Sequence, residues 1–421
     1  MRYKLMVVAI FVGLSILLAG CRWSQETDDV AFITAIGVDK AEGEKIKVTF
    51  QVVIPRAVSS LQGIGQEIQG GPTMISSIVA PNITEARNLL ATSMSRTPNL
   101  SHVQALLIGE EVARSGTGDI VSSIMRFREY RGGMFMVVVR GKSEDFLTST
   151  KPKLELLPSK FFEAFGKSSE QVGYYLRVEV HDLYLRLKNP GGSAYATYVG
   201  INPLTGEDTP LDTKMPNDKA KGYLPKDIPR AGTENPTEFA GTVVFNGDKM
   251  VGAIDTSETR ILAMLHNDLP RGVFTLDDPL EPQHEVSLNM RNGSSPKIDV
   301  DLIDGREVIK INVFLEGEIT GIPSGINYEK PEYRELLEAA ISDVVTQEIQ
   351  GLIRHTQELG SDVVGFGYEL RSHFATYREL RETNLAELYK TASVDVKVTT
   401  KLRRTGLMWK TSPYALTATS E

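Results

Sequence analysis

The sequence predicts an α+β protein with mixed and antiparallel sheets packed on helices. Its pattern divides the chain into three domains. Strand-like and helix-like stretches alternate through residues 30–201, which is typical of mixed α/β layers. Residues 202–237 combine Pro, Gly, Lys and Asp with almost no periodic apolar signal, and so long a structureless stretch is rare inside one compact domain. A long amphipathic helix at 331–359 follows strands whose apolar residues alternate.

The predicted N-terminal α/β domain covers residues 21–201. Its first two strands are joined by a plausible hairpin, and residues 55–81 are interpreted as a loop because they are rich in Gly, Ser, Gln and Pro. Asn82 and Thr84 are candidate caps of the first helix. The predicted elements are strands at Val30–Val38 and Lys45–Ile54, a helix after Asn82, a strand at Val103–Ile108, helices at Glu110–Arg114 and Asp119–Tyr130, a strand at Met134–Val139, a helix at Ser168–Lys188 and a strand at Ala194–Ile201.

Residues 202–237 are assigned as a linker or extended loop, and residues 238–290 as a small middle domain. Asn246-Gly247 lies between two apolar runs and is a strong hairpin signal, because both residues tolerate positive φ. Asp255 and Glu258 have the spacing of a capping box. The predicted elements are strands at Glu238–Phe245 and Met250–Ile254 and a helix from Asp255 through Leu265.

The predicted C-terminal α+β domain covers residues 291–410. Apolar residues alternate along Lys297–Leu302 and Ile309–Leu315, with an Asp304-Gly305 turn between them, which predicts a second hairpin. Pro331 suits the first position of a helix, and Gly360 ends the apolar stripe that defines the long helix 331–359. A helix at Phe374–Tyr389 and a strand over Val394–Val398 complete this domain.

The amino terminus has the pattern of a bacterial lipoprotein signal peptide at residues 1–20. A basic start is followed by an apolar run and then by Leu18, Ala19, Gly20 and Cys21. Cys21 is the only cysteine of the 421 residues, and its thiol would accept diacylglycerol, so we expect no cofactor beyond this covalent lipid. Two acyl chains are sufficient for stable anchoring.

Charge excludes one class of partner. The chain has 46 Lys and Arg against 54 Asp and Glu, a formal charge of −8, and removal of Arg2 and Lys4 with the signal peptide would make it −10. This argues against nucleic-acid binding and against a broad electrostatic attraction to anionic lipid.

A set of short motifs runs over nearly the whole mature chain. They are Ala35–Asp39, Ser101–Arg114, Arg126–Arg131, Gly241–Gly252 with Glu258-Thr-Arg260, and Asp362–Gly367. With these motifs the chain resembles the Ger(x)C family, the C-subunit lipoproteins of spore nutrient germinant receptors. After the cysteine the family usually has Trp and Asp, whereas here Arg22 intervenes and Ser24 stands where an acid is expected, which changes the expected tether and not the expected fold.

The resemblance implies three α/β-type domains anchored to the outer face of the spore inner membrane. It also implies membrane partners, an A subunit and a transporter-like B subunit, and no catalysis. We therefore expect a non-enzymatic subunit needed for nutrient-triggered germination. The alternative is a substrate-binding lipoprotein that delivers a nutrient to a permease-like partner, and a cell-wall hydrolase is a third option that lacks a placed acid pair.

For the histidines and for one group of aspartates, a structural role is favoured over a catalytic or metal-binding role. The six histidines are dispersed along the chain, so a zinc site is not expected. For His102, a hydrogen-bonded residue at the start of a strand is favoured over a general base. Asp299 and Asp301 share one face of a strand and Asp304 lies in a turn, which favours a solvated face over a calcium site.

Two further clusters each have two interpretations. Arg126, Arg128 and Arg131 with Glu129 form a mixed-charge helix end, either a solvated face or a salt bridge to a partner. Phe161, Phe162 and Phe165 have helical spacing and form either a core stripe, which is favoured, or a surface that docks on a partner or on lipid.

Overall fold

The computed structural model describes residues 2–4, 6, 29–55, 72–152, 154–155, 158–202, 222–230, 235–269 and 271–404. Within them the strands form two sheets, each covered by helices, so the predicted α+β class of a multidomain chain is confirmed. The strands of the first sheet are β1 (Val30–Lys40), β2 (Ile46–Val53), β3 (Thr73–Ala80), β4 (Thr97–Asn99), β5 (Ala105–Gly109), β6 (Phe135–Val139), β7 (Tyr195–Ile201), β8 (Thr237–Asn246) and β9 (Lys249–Ile254).

The first sheet is mixed, with the order β3-β2-β1-β5-β6-β7-β8-β9. Its central strands β1, β5, β6 and β7 are parallel, and the pairs at both ends are antiparallel. β4 pairs with the first three residues of β1. Because parallel strands begin at one edge of a sheet, the segments that lead into β5, β6 and β7 lie at the edge where the described chain enters β1.

Helices cover both faces of this sheet, which explains why its central strands are continuous apolar runs. The helices are α1 (Ile83–Thr92), α2 (Glu110–Ser115), α3 (Gly118–Arg126), α4 (Ser143–Ser149), α5 (Pro158–Val172) and α6 (Val180–Lys188). Buried residues of α1, α2, α3 and α6 share one core. Residues of α4 and α5 form another with alternate residues of the same strands.

The second sheet is built around β13, which pairs with β11, β12 and β14. A long helix packs on β14, and its Leu337, Ile341 and Val345 share a core with Ile309 and Ile311 of β13. The elements are α7 (Thr256–Leu265), β10 (Gly272–Asp277), β11 (Glu285–Asn292), β12 (Lys297–Ile303), β13 (Arg306–Gly321), α8 (Pro331–Glu358), α9 (Phe366–Glu369), a 3-10 turn (Leu370–His373), α10 (Tyr377–Glu382), α11 (Leu385–Lys390) and β14 (Ser393–Arg404).

Three sequence-based element predictions were wrong. β3 lies inside the predicted loop 55–81, because an edge strand is half-exposed on both faces and has no clear apolar alternation. The helix predicted at 168–188 is two helices, since Gly173 adopts φ 66° and the chain then runs extended to Glu179, which bridges to β6. The helix predicted at 374–389 breaks into α10 and α11, where Asn384 caps the second.

The predicted domain boundaries also differ from the sheets. Residues 238–254 of the expected middle domain form β8 and β9, which pair with β7 and so complete the first sheet. The sequence showed an apolar hairpin there, but a hairpin needs further strands or a helix to be stable, and β7 supplies that partner. The long helix 331–359 is confirmed as α8.

Part of the predicted linker 202–237 is also held by the first sheet. The backbone N–H of Lys226 donates to the buried Glu238 carboxylate at 2.9 Å, and Arg140 pairs with Asp227 at 3.0 Å. Residues 203–221 and 231–234 lie outside the described residues.

The predicted capping box at the start of α7 is confirmed and gives a first test. Asp255 accepts hydrogen bonds from the N–H groups of Ser257 and Glu258 at 2.8 and 2.9 Å, and from Gly222 at 3.0 Å. We expect Asp255→Ala to lower the free energy of unfolding by about 1–2 kcal/mol, because three N–H groups lose their acceptor. Urea unfolding measures this, with Asp255→Asn as the control that keeps a capping oxygen; an unchanged midpoint for the alanine variant would contradict the assignment.

Candidate functional site

The predicted lipid-attachment site lies outside the part of the chain that the structure describes. This applies to Cys21 and to Leu18, Ala19 and Gly20, so the attachment of diacylglycerol stays a prediction. Among the described residues, none of the helices has the length and apolar character needed to cross a membrane.

The phenylalanine cluster is part of the core, as favoured from the sequence. Phe161 and Phe162 are buried, and the ring of Phe165 stacks on Phe239 with a centroid distance of 4.0 Å. The cluster joins α5 to β8, so it is not a surface for lipid or a partner.

The remaining candidates are on the surface. Asp299 and Asp301 lie on the exposed face of β12, and Asp304 occupies the turn with φ 51°, as predicted. His102 is exposed, and its ring meets the edge of Phe32 at 5.0 Å, so an aromatic contact takes the place of the expected hydrogen bond. The described residues contain no cluster of three or more His, Cys, Asp or Glu able to hold a metal.

The Ala35–Asp39 motif has a structural role. The carboxylate of Asp39 accepts from the N–H groups of Ser143 and Glu144 at 2.7 and 3.0 Å and from the Ser143 hydroxyl at 2.8 Å, so it caps α4. Gly37 faces the same serine, and a Cβ there would meet the Ser143 hydroxyl oxygen. The motif therefore fixes α4 against the sheet.

The two sheets meet at the loop that follows α8, and the Asp362–Gly367 motif forms this junction. The buried Asp362 carboxylate accepts from the N–H groups of Gly365 at 2.8 Å and Gly367 at 2.9 Å, which curls the loop around it. The N–H of Ser193 donates to the Asp362 carbonyl at 2.6 Å. The Ser361 hydroxyl donates to the carbonyl of Phe245 at 2.8 Å. The loop is therefore bonded to the segments before β7 and at the end of β8.

Glycines allow the close approach at this junction. A Cβ built on Gly367 would lie 2.9 Å from Cα of Gly191, and one built on Gly191 would lie 2.9 Å from the carbonyl carbon of Gly367. Gly365 has φ 89°, a conformation that L side chains rarely adopt. The glycines of the motif are thus explained by backbone contact and by turn geometry.

A half-buried histidine bridges the same junction. His266, directly after α7, contacts the Val364 carbonyl through Nε2 at 3.2 Å and the Tyr195 hydroxyl through Nδ1 at 3.1 Å. A carbonyl only accepts, so Nε2 carries the proton and Nδ1 accepts from the tyrosine. Burial lowers the pKa of His266 to about 4, so the ring is neutral near pH 7.

Two buried carboxyl groups lie at this junction, Asp362 in the loop and Glu307 in β13. Burial raises the pKa of Asp362 to about 6, although its backbone N–H donors act in the opposite direction. Burial also raises the pKa of Glu307 to about 7, and the negative charge of Asp362 adds to this increase. Oε1 of Glu307 has no hydrogen-bond partner among the described residues. The junction thus holds two acids whose pKa values are raised above their ordinary values.

A second set of contacts links α7 to α8 and explains the Glu258-Thr-Arg260 motif. Glu258 pairs with Nδ1 of His355 at 2.7 Å, and Arg260 pairs with Glu348 at 3.2 Å. The Arg260 guanidinium also lies 3.8 Å from the ring centroid of Phe274 in β10. The hydrogen bond to Glu258 raises the pKa of His355, with burial opposing it. These contacts join α7, which follows β9 of the first sheet, to α8 and β10 of the second sheet.

A cleft of about 400 Å³ opens beside the junction. It lies at the edge where the parallel strands of the first sheet begin, because its walls include the segment before β7 and the turn after β8. None of its described lining residues is aromatic, unlike most small-molecule sites, which are lined by apolar and aromatic side chains. The lining residues are Pro190–Ser193, Asn246, Gly247, Asp362 and Arg381–Ala386.

Sequence reasoning found the motifs of this junction but missed Glu307. One signal was available: Glu307 has the same strand parity as Ile309, Ile311 and Val313, so it continues their apolar face. A charged residue in an apolar register indicates a buried ionisable group.

Two family models match the chain in order. The model described as "Spore germination protein N-terminal domain" matches residues 24–201, and the model described as "Spore germination B3/GerAC like, C-terminal" matches residues 240–406. Together they cover most of the chain.

Curated relatives and a solved structure agree. The chain is 25% identical over 408 residues to "Spore germination protein KC" of Bacillus subtilis (strain 168), covering 95% of this chain and 96% of that protein. It is 24% identical over 398 residues to "Putative spore germination protein YfkR" of the same organism, covering 94% and 95%. "Spore germination protein GerQC" of Bacillus cereus is 20% identical over 392 residues, covering 93% and 97%.

The crystal structure of the GerBC protein has the same fold, with a TM-score of 0.53 at 16% identity, covering 87% of this chain and 96% of that one. This likeness shows the fold alone. Taken with the two family models, the chain belongs to the GerAC-like family of spore germination proteins, the C subunits of germinant receptors.

Proposed function

We propose that the protein is a non-catalytic, lipid-anchored subunit of a spore germinant receptor, needed for nutrient-triggered germination. Diacylglycerol on Cys21 holds it to the outer face of the spore inner membrane, where it contacts the A and B membrane subunits. The observation that carries this proposal is the match of both family models, in order, over residues 24–201 and 240–406.

The contacts of the motif residues support a scaffold role. The carboxylates of Asp39 and Asp362 accept hydrogen bonds from backbone N–H groups, and Arg260 holds α7 against β10. These side chains fix helices and loops in place on the two sheets. A rigid two-sheet body on a lipid anchor has a high effective concentration beside its membrane partners, so a weak interface is sufficient.

The test is Cys21→Ala expressed in spores. We expect the protein to leave the membrane fraction and germination to be impaired, because the acyl chains supply the attachment. The thermal unfolding of the two-sheet body should not change, since its described strands and helices all follow Asp29. Ser24→Ala is the matched control, because it alters the tether and keeps the sulfur.

Mass spectrometry of the native protein should show Cys21 acylated and residues 1–20 removed. An unmodified thiol on a chain that keeps its leader, or a Cys21→Ala protein that still fractionates with membranes and supports germination, would refute the anchor. Calorimetry against amino acids and sugars tests the alternative of a nutrient-delivering lipoprotein, since micromolar binding would favour it. The absence of aromatic side chains from the described lining of the cleft argues for the subunit role.

A further inference from the structure

The Arg126–Arg131 motif, called the arginine loop below, consists of the last residue of α3 and the short loop after it. Its side chains alternate between core and solvent. Phe127 and Tyr130 pack against the core shared by α1, α3 and the first sheet, with their ring centroids 5.7 Å apart. Arg126, Arg128 and Arg131 are exposed. The aromatic residues therefore fix the loop and leave the three guanidinium groups in solvent.

Glu129 ties this loop to the place where the chain enters the fold. Its carboxylate pairs with Arg87 at 3.3 Å and accepts the N–H of Leu100 at 3.2 Å. Arg87 in turn donates to the carbonyl of Pro98 at 3.0 Å. Pro98 belongs to β4, which pairs with Val30–Phe32 at the start of β1. The arginine loop and the first residues of β1 therefore both lie beside β4.

The three arginines are uncompensated. None of them has an ion-pair partner among the described residues, and the same holds for Arg96, directly before β4. Some other exposed arginines are paired: Arg114 with Glu110 at 2.7 Å and Arg378 with Glu382 at 2.8 Å. A local cluster of free positive charge therefore lies on a chain whose formal charge is −8.

We propose that this arginine loop binds the headgroups of anionic phospholipid. The proposal rests on the lipid anchor of the proposed function, because eight residue steps separate Cys21 from Asp29 and an extended chain covers at most about 3.6 Å per residue. The entry of β1, and with it the arginine loop, then stays within about 30 Å of the bilayer. A guanidinium group binds phosphate with two parallel hydrogen bonds, so three on one loop suit a phosphate-rich surface.

The binding orients the ectodomain. One lipid anchor leaves the body free to rotate about its tether, whereas a second contact at the same edge fixes which edge faces the membrane. The cleft beside the Asp362 loop lies at this edge, so it would open toward the bilayer and the membrane subunits. The net charge of the chain does not reveal this contact, because opposite charges elsewhere cancel the local cluster.

The experiment uses the predicted mature chain, residues 21–421, with Cys21→Ser so that acylation plays no part. This chain keeps every described strand and helix of both sheets. Co-sedimentation compares vesicles of phosphatidylcholine mixed with phosphatidylglycerol and vesicles of phosphatidylcholine alone. We expect binding to the anionic vesicles only, weakened by added salt. The triple variant Arg126→Gln/Arg128→Gln/Arg131→Gln should bind roughly 100-fold less tightly, since each arginine near an anionic surface contributes about fivefold.

The matched control is Arg271→Gln/Arg306→Gln/Arg354→Gln. It removes the same charge from exposed positions on the second sheet and α8 and should bind within about twofold of the parent. Equal losses in both triple variants, or equal binding to both kinds of vesicle, would overturn the proposal. So would a loop variant that binds vesicles normally but no longer co-purifies with the membrane subunits, since the loop would then bind protein. Because the chain carries no lipid, these outcomes are independent of whether Cys21 is acylated.

Discussion

Gly367→Ala should lower the free energy of unfolding by about 2–3 kcal/mol. The added methyl group would lie 2.9–3.1 Å from three backbone atoms of Gly191, and backbone cannot turn aside as a flexible side chain can. Relief requires the Asp362 loop to move away from the segment before β7, which strains the hydrogen bonds of Asp362 and Ser193. Urea unfolding of the mature chain measures the change.

Gly351→Ala is the matched control for this variant. Gly351 lies inside α8, and a Cβ there would meet no atom within 4 Å. The same substitution should therefore raise the free energy of unfolding by up to about 1 kcal/mol, because alanine is the better helix former. If both variants changed stability in the same direction, the glycine contact at the junction would not have the role assigned to it.

Glu307→Gln should make the protein about 2–3 kcal/mol more stable at pH 8 and leave it nearly unchanged at pH 4. The pKa of Glu307 is raised from 4.5 to about 7 in the fold, so the folded state binds more protons than the unfolded chain between these values. Stability is therefore lost as the pH rises from about 4 to 7. Glutamine keeps the shape of the protonated carboxyl and has no charge to bury.

Thermal unfolding across this pH range tests the prediction, and the slope of stability against pH should be smaller in the variant. The pKa values of Asp362 and His355 are also raised, so both groups lose stabilisation in the same direction as the pH rises, and part of the slope should persist. Glu335→Gln on the exposed face of α8 is the control and should parallel the parent. A Glu307→Gln profile that also parallels the parent would show that Glu307 does not titrate as proposed.

Local signals in the sequence predicted the structure correctly where a segment forms its turn, cap or helix from its own residues. The Asp255 and Glu258 capping box, the Asn246-Gly247 turn and the helix beginning at Pro331 all occur as predicted. Each depends on backbone geometry or hydrogen bonds within a few residues. The buried stripe of α8 follows from periodicity alone.

The candidate junction was only half predictable. The Asp362–Gly367 motif was visible as a pattern, yet nothing in it indicated Gly191 as the opposing backbone or Ser193 as the donor to Asp362, about 170 residues away in each case. Glu307 was missed because a single acid in a strand is recognised as buried only when its position is compared with the alternating apolar residues of that strand. The division into domains also depended on pairing, since β7 and β8 belong to different family models but form one antiparallel pair.

The sequence by itself determined the α+β class, the long helix, the predicted lipid site at Cys21 and the family. These depend on composition, short-range periodicity and motifs read in order along the chain. Only the tertiary structure decided that β8 and β9 complete the first sheet, that Asp362 and Glu307 are buried near each other, and that three exposed arginines lie beside the entry of β1. The physical reason is that strand pairing, burial and local charge depend on which distant segments meet, and those contacts have no short-range signature.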